Sequence, residues 1–329
     1  MVAGKLAAAL PRARLHPAVR TWAEASPRRK RWAVAFSGGA DSLGLLLLLW
    51  AHWPERRGRL CALHFDHRLR GAESRGDAAF CRRVCAALGV RLVEGQWQEA
   101  HRGASEAEAR VARQAFFARH AAAVWLGHQL DDIAESIFMR LARGSGTAGL
   151  AAPRPVQAMP RGRVHLRPLL TLRKAEVMAA LRHAGANWRE DSTNAGRGFF
   201  RNRVRRDVLP AWQAAAGRDA LAGAARSREL LEEDEAALEA WLAELQPLAA
   251  DGSLNLRKLA GKPRALVRRA LHRWLLAHPG TSQISRQAFD TLLDDAMSGR
   301  ATRQSLGPDG FAVMGKGRLR FAPAKKKSR

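Results

Sequence analysis

The segment Arg31-Trp-Ala-Val-Ala-Phe-Ser37-Gly38-Gly39-Ala40-Asp41-Ser42 carries two signals side by side. Its first half is a short apolar run, the pattern of a strand buried on both faces. Its second half turns through Ser-Gly-Gly-Ala-Asp-Ser directly into the leucine-rich helical stretch 43–53. Two glycines let the backbone turn tightly and let a ligand approach without a Cβ in the way. The N–H groups that open the helix, with two hydroxyls beside them, make an anion cradle of the size of a pyrophosphate. No Gly-Lys-Ser/Thr closes the loop, so it is not a Walker A motif. The plain alternative is a strand–helix turn with Asp41 or Ser42 as cap. Both serines, both glycines and the aspartate in this order after a strand favour the cradle.

Outward from this segment the N-terminal half repeats one unit: apolar run, polar turn, helix-period stretch. Strands are expected at 32–36, 60–65, 90–94 and 123–127, and helices at 42–52, 74–88, 105–120 and 131–143. Such alternation implies crossover connections and an α/β fold: a mostly parallel sheet with helices on both faces. The proline-rich, basic passage 153–168 reads as a loop, followed by a helix at 172–185 and a polar turn at 190–194. Composition shifts near 216, where a long acidic helix, 219–245, begins. We therefore expect a catalytic domain at 1–216 and a smaller, mainly helical domain at 217–329, with helices at 262–277 and 285–298. A terminal hairpin is expected at 311–321 and a basic tail at 325–327.

A chain of 329 residues suits two domains, and 47% hydrophobic residues exclude disorder throughout. Lys and Arg number 56 against 30 Asp and Glu, a net charge of +26. That field concentrates polyanions, so nucleic acid is the first partner to consider, although an arginine-rich proteome would produce the same bias. Three cysteines make no disulfide framework and suit a reducing cytosol. Cys81 and Cys85, four apart, share a helix face and read as small buried thiols. The longest apolar run, 43–53, is broken by Gly44 and His52 and falls short of the ~20 residues of a membrane span. The patch at 6–10 is too short for an export signal core of about 7–15 residues. The expectation is a cytoplasmic protein with no membrane partner.

Three further constellations can carry chemistry. Asp131 and Asp132 open a helix just after a strand, at the sheet edge where α/β proteins bind ligands, and Glu135 shares a face with Asp132. Such carboxylates hold Mg²⁺ on phosphates or grip an ammonium; they also merely complement a helix dipole. Arg110 and Arg113 share a face and suit neutralisation of a triphosphate, or a solvated basic surface. His64, Asp66 and His67 follow a strand and either line a nucleotide pocket or leave His64 as a satisfied core residue. Segment 154–206 holds 13 Lys and Arg against 3 acids, and Arg201, Asn202, Arg203, Arg205 and Arg206 suit phosphates and bases. Trp22, Trp50 and Trp53 read as packing residues.

The Ser37–Gly38–Gly39–Ala40–Asp41–Ser42 loop resembles the pyrophosphate (PP) loop of the N-type ATP pyrophosphatases, and the half-chain is similar to their tRNA(Ile)-lysidine synthetase family. The blocks that match in order are His64-Phe-Asp66-His67-Arg-Leu-Arg70, Glu106-Ala-Glu-Ala-Arg110-Val-Ala-Arg113, and His128-Gln-Leu-Asp131-Asp132-Ile-Ala-Glu135. Arg143-Gly-Ser-Gly146, Arg167-Pro-Leu-Leu170 and Glu190-Asp191 to Arg201-Asn202-Arg203 continue them, so the likeness covers roughly 30–210. Gln114 stands where an aromatic is usual, Gln129 replaces a second histidine and Ser136 a threonine.

The resemblance implies ATP as substrate and Mg²⁺, on Asp41 and Asp132, as cofactor. It implies L-lysine and the CAU-anticodon isoleucine tRNA as the other substrates. His128, Asp131, Asp132, Glu135, Arg110 and Arg113 would serve catalysis or lysine binding, and Arg201, Asn202, Arg203 and Arg205 the tRNA. A PP-loop thiolation enzyme would need thiols or a Cys-bound cluster, for which Cys61, Cys81 and Cys85 lack the spacing. A non-catalytic basic RNA-binding protein would not need the intact loop. In the second domain, Arg257, Lys258, Lys262, Arg264, Arg268 and Arg269 are expected to face RNA and the acidic helix to face away.

Overall fold

A computed structural model describes residues 2–68, 72–101, 104–190, 199–278 and 284–324. The chain divides into two compact units, Met1–Glu232 and Glu233–Arg329. Leu69 and Arg70, the turn beyond Glu190 and the tail at 325–327 lie outside the described residues.

The first unit opens with α1 (Val2–Ala9) and α2 (Pro17–Ala25), then β1 (Trp32–Ala35), α3 (Ala40–His52), β2 (Leu60–Asp66), α4 (Ala72–Leu88), β3 (Arg91–Gln96) and α5 (Glu106–His120). It continues with β4 (Ala123–Trp125), α6 (Leu130–Leu141), α7 (Thr147–Leu150), β5 (Val156–Met159), β6 (Arg163–Leu166) and α8 (Lys174–Ala184). The short α9 (Phe200–Arg203) passes through a π-turn, Val204–Val208, into α10 (Leu209–Ala216). The sheet order is β3-β2-β1-β4-β6-β5. Every pair is parallel except β5–β6.

From β1 the chain winds outward through β2 and β3, then returns to lay β4 on the other side of β1. The direction of winding reverses between β1 and β4, and the crevice at the carboxyl ends of those two strands is where such sheets bind ligands. The loop at 37–42 leaves β1 there, and Gly127 and His128 leave β4.

Local chemistry accounts for the elements. In α3, Leu43 and Leu45 to Leu49 are all buried, so the helix lacks a polar stripe and shows no helical periodicity. It is covered by α1 and α8 as well as by the sheet. Ser105 caps α5 by accepting the Glu108 N–H at 3.2 Å, while Glu108 accepts the Ser105 N–H at 2.8 Å. Trp32 and Trp125 meet at 4.6 Å between ring centroids, with Trp22 and Trp53 around them, so the tryptophans expected to pack do so. Trp50 lies partly buried against the same core, and Cys81 and Cys85 are buried as expected.

One feature departs from the reading of the sequence. The 153–168 passage is a hairpin rather than a loop. Val164 and Leu166 are buried in the sheet, and Arg161 and Gly162 turn the chain at positive φ. Pro155, Pro160 and Pro168 fall just outside the paired residues, which hid the strands. The apolar patch at 6–10 belongs to an amphipathic start, where Leu6, Leu10, Leu15 and Val19 join the main core.

Helix α11 (Ala220–Leu245) crosses from one unit to the other, later than the composition shift near 216. Its Leu221 and Ala224 belong to a cluster with Leu130, Ile133 and Leu209, whereas its Leu242 belongs to the core of the second unit.

That second unit packs α12 (Arg264–Leu276) and α13 (Arg286–Ser298) with an antiparallel sheet ordered β7-β10-β9-β8. These strands are β7 (Leu254–Asn255), β8 (Thr302–Ser305), β9 (Gly310–Gly315) and β10 (Arg318–Pro323). The expected terminal hairpin is β9–β10, closed by Lys316 and Gly317, both at positive φ as a two-residue turn requires. Arg269, expected on an RNA-facing surface, is instead bonded to the buried Glu235 of α11. Arg273 pairs with Glu239 and Arg264 with Asp294. The acids of α11 thus answer arginines of α12. Among the described residues no helix is long and apolar enough to cross a membrane.

Candidate active site

The loop after β1 is held by its own hydroxyls. Ser42 Oγ donates to the Gly39 carbonyl at 3.0 Å, accepts the Ser37 N–H at 3.2 Å and lies 3.1 Å from Ser37 Oγ. Gly38 stands at φ +90°, where a Cβ would also meet Phe80, Cys81 and Arg189 at 3.3–3.5 Å. Gly39 is the N-cap of α3 and has no side chain with which to cap it, so the first turn has no side-chain cap on its N–H groups, the arrangement an anion cradle requires. Arg189 braces the loop from outside. Its N–H donates to the Gly38 carbonyl at 3.0 Å and its Nε to Asp77 of α4 at 2.8 Å.

Asp41 and the end of β4 meet at the switch point. A Cβ on Gly127 would lie 2.9 Å from the Asp41 carbonyl oxygen, so only glycine lets β4 approach the start of α3 this closely. Gln129, itself buried, donates from Nε2 to Asp41 Oδ1 at 2.7 Å. Burial raises the Asp41 pKa; the Lys174 ammonium pulls it down, and the Asp132 carboxylate pushes it up again.

The acids of α6 separate into different roles. Asp131 turns to α8 and accepts the Lys174 backbone N–H at 2.8 Å. Asp132 accepts the Gln129 N–H at 2.7 Å and the Arg201 guanidinium at 2.5 Å. Glu135, 1% exposed, accepts Arg201 Nε at 2.7 Å and Arg205 Nε at 2.5 Å. Burial opposes the charge on Arg205, yet the hydrogen bond and charge of Glu135 raise its pKa on balance. Two acids and two arginines form one neutral cluster, reached across the π-turn, a distortion frequent at functional sites.

Behind it, Arg167 is buried and donates to His128 Nδ1 at 3.0 Å, to the Arg154 carbonyl and to Gln157. Because Nδ1 accepts, the His128 proton sits on Nε2. Burial first, then the charges of Arg167, Arg201, Arg113 and Arg110, lower the His128 pKa well below its ordinary value, so the ring is neutral. Burial and the Arg110 charge likewise bring Arg167 down to about 10.

His64 and Asp66 line a cavity of about 280 Å³ with Arg75, Ala78, Arg82, Glu94, Gly95 and Gln96, at the ends of β2 and β3. His64 is also a satisfied core residue, with Nδ1 3.0 Å from the Phe36 carbonyl. His67 does not line the cavity; it packs edge-on to Phe65 and Trp97. Arg110 is exposed and Arg113 half-buried. The residues expected at the RNA split: Arg201 and Arg205 serve the acid cluster, Asn202 is buried, and Arg203 is exposed.

The model of the PP-loop domain matches residues 14–212. A tRNA(Ile)-lysidine synthase of Rhodococcus erythropolis is 36% identical over 294 residues, 85% of each chain. One of Nocardia farcinica is 38% identical over 291 residues, 85% of this chain and 87% of that one. The chain belongs to the tRNA(Ile)-lysidine synthase family.

Another tRNA(Ile)-lysidine synthase, of Solibacter usitatus, is 41% identical over 259 residues, 73% of this chain but 56% of that protein. The chain thus spans little more than half the length of the first curated relatives it matches. Gln129, a departure from the pattern of the lysidine synthases by sequence, is the residue that holds Asp41. Lys174, Arg189 and the position of Arg167 behind His128 were not legible as site features. A basic residue two before Asp191, or four after Leu170, carries no periodic or compositional signal of its own.

Proposed function

We propose that this chain ligates L-lysine to C2 of the wobble cytidine in a CAU-anticodon isoleucine tRNA, at the expense of ATP. The observation that carries this reading is the braced anion cradle at 37–42 opening onto the Asp41–Asp132 pair, in a member of the lysidine synthase family. Cytidine O2 attacks the α-phosphorus of ATP, the bond to the β-phosphate oxygen breaks, and pyrophosphate is received by the Ser37, Ser42 and α3 N–H donors. The lysine ε-ammonium gives a proton to water, the neutral ε-amine attacks C2, the C2–O bond breaks, AMP leaves and lysidine forms. Activation is needed because an amine cannot displace a bare carbonyl oxygen, whereas a phosphate ester is a good leaving group.

His64 and Asp66 offer the nucleoside a cavity at the ends of β2 and β3, and Arg110 and Arg113 offer charge to the phosphates. Mg²⁺ would be held by Asp41 at the start of α3, with Asp132 giving up its bond to Arg201 to join it; the ion ordinarily takes one or two protein carboxylates with phosphate and water. When bound, the ion offsets the charge that builds on pyrophosphate. The lysine ammonium enters the Asp132–Glu135 cluster by exchanging with an arginine already there. Arg203 and Arg206, both exposed, meet tRNA phosphates. Neutral His128, fixed by Arg167, orients rather than accepts a proton at neutral pH.

AMP release from ATP, measured with bulk tRNA and each of the twenty amino acids in turn, tests the assignment. Turnover with lysine alone, on a tRNA whose mass rises by one lysyl residue, is expected. Turnover with another amino acid, or incorporation of sulfur, would sink it.

A further inference from the structure

Buried or half-buried aromatics are the rule in this chain, yet two adjacent phenylalanines stand in the open: Phe199 is 45% exposed and Phe200 37%. They lead into α9, and the next residue, Arg201, is bonded to Asp132 and Glu135. Their backbone is fixed as well, because the Phe199 carbonyl accepts the Asn202 N–H at 3.1 Å and the Arg203 N–H at 3.3 Å. The Arg203 guanidinium lies 5.7 Å from the Phe200 ring centroid. The run Phe-Phe-Arg-Asn-Arg-Val-Arg-Arg from 199 to 206 contains no acid.

We infer that Phe199 and Phe200 form a stacking platform for unpaired RNA bases next to the nucleotide being modified. The inference rests on the tRNA-modifying function proposed above. Rigid aromatic faces interleaved with arginines are the means by which proteins hold single-stranded RNA, since every base has a face to stack and every linkage a phosphate to pair. A duplex keeps its bases stacked on each other and offers the rings nothing. The platform therefore selects a loop over a stem, and its place one residue from Arg201 sets the splayed bases beside the acid cluster.

The test uses the full chain with Phe199→Leu, Phe200→Leu, Phe200→Trp and the double Phe199→Ser/Phe200→Ser. Two probes are titrated: an RNA stem-loop carrying the CAU anticodon loop, and a blunt RNA duplex of equal length. Each leucine variant should lose about 5- to 100-fold in affinity for the loop. Phe200→Trp should hold it, and duplex and ATP affinity should not move. Leucine variants that bind the loop as tightly as phenylalanine overturn the inference, since a plain apolar contact then suffices. Equal losses on loop and duplex overturn it too. Unchanged loop binding by the double serine variant does the same and points to a protein docked on the pair. A wild-type chain that prefers the loop but transfers no lysine leaves the platform standing and sinks the lysidine reading instead.

Discussion

Asp41 is a carboxylate drawn into a crevice that burial makes unfavourable for charge, and Gln129 and Lys174 hold it there. Its pKa is raised in the folded chain. The stability it contributes is therefore present below the unfolded carboxylate pKa and lost as pH rises through the raised value. At neutral pH the charged group costs stability, and Asp41→Asn should melt no lower than wild type. The same change should slow adenylation by more than about 100-fold, since on the function proposed above Asp41 would hold the Mg²⁺ that offsets charge on the reacting phosphates. Filter binding of tRNA should stay within about twofold, because diffuse positive charge sets it. Equal losses in both assays would make the loop merely structural.

His165, buried on β6, works with the opposite sign: burial and then Arg167, Arg110 and Arg163 lower its pKa to about 4. Its neutral form stabilises the fold fully above the unfolded value of about 6.5, and that contribution disappears as pH falls toward 4. The whole effect is on the order of 3 kcal/mol. Urea melts of His165→Gln from pH 7.5 to 4.5 should show a pH slope shallower by about 1.4 kcal/mol per unit near pH 5. An unchanged slope would mean that the imidazole is hydrated.

At the scale of elements, α6 and the α9–α10 stretch are joined by four charged groups rather than by apolar packing alone. Glu135 is the centre of that junction, with a guanidinium on each oxygen. Removing the acid leaves Asp132 alone to answer two half-buried guanidiniums, and breaking such a buried ion pair costs about 3–5 kcal/mol. Glu135→Leu should therefore lower Tm clearly in a thermal melt. Glu135→Gln, which still accepts hydrogen bonds, should lower it less while raising the lysine KM several-fold. Intact lysine kinetics in Glu135→Gln, with normal AMP release, would remove the cluster from the lysine site. Similarly, α11 should be cut with care. A chain ending after residue 232 keeps Leu221 and Ala224 in their cluster, whereas one ending after 216 loses both. The longer fragment should melt higher, and the reverse order would place the boundary at the composition shift instead.

At the scale of the molecule, a net charge of +26 gives a long-ranged attraction for RNA that no single residue owns. The logarithm of tRNA affinity should fall steeply and linearly with the logarithm of salt. Arg203→Ala and Arg206→Ala should each flatten that slope by about 0.7–0.9, the yield of one released counterion. Two variants that weaken binding with no change of slope would show contacts other than phosphate. We propose that the second unit adds to this affinity through the exposed Arg257, Lys258 and Arg268, with its arginines at 264, 269 and 273 already answered by acids.

The parallel sheet, the loop at 37–42 and the order of the motifs were all legible in the linear chain. Each is written in residues close together: an apolar run, a glycine pair, an acid one turn into a helix. The hairpin at 156–166 was not, because prolines flank its strands and its turn is built from Arg161 and Gly162 at positive φ. Nor was the pairing of Arg201 and Arg205 with Glu135, since 66 and 70 residues separate the partners. By composition those arginines belong to a basic run expected to face RNA. Packing α9 beside α6 brings two of them onto a buried carboxylate whose charge must be met, and leaves Arg203 and the phenylalanine pair outside. Local pattern names the groups a chain carries; only the burial that folding imposes determines which of them meet each other and which stay at the surface.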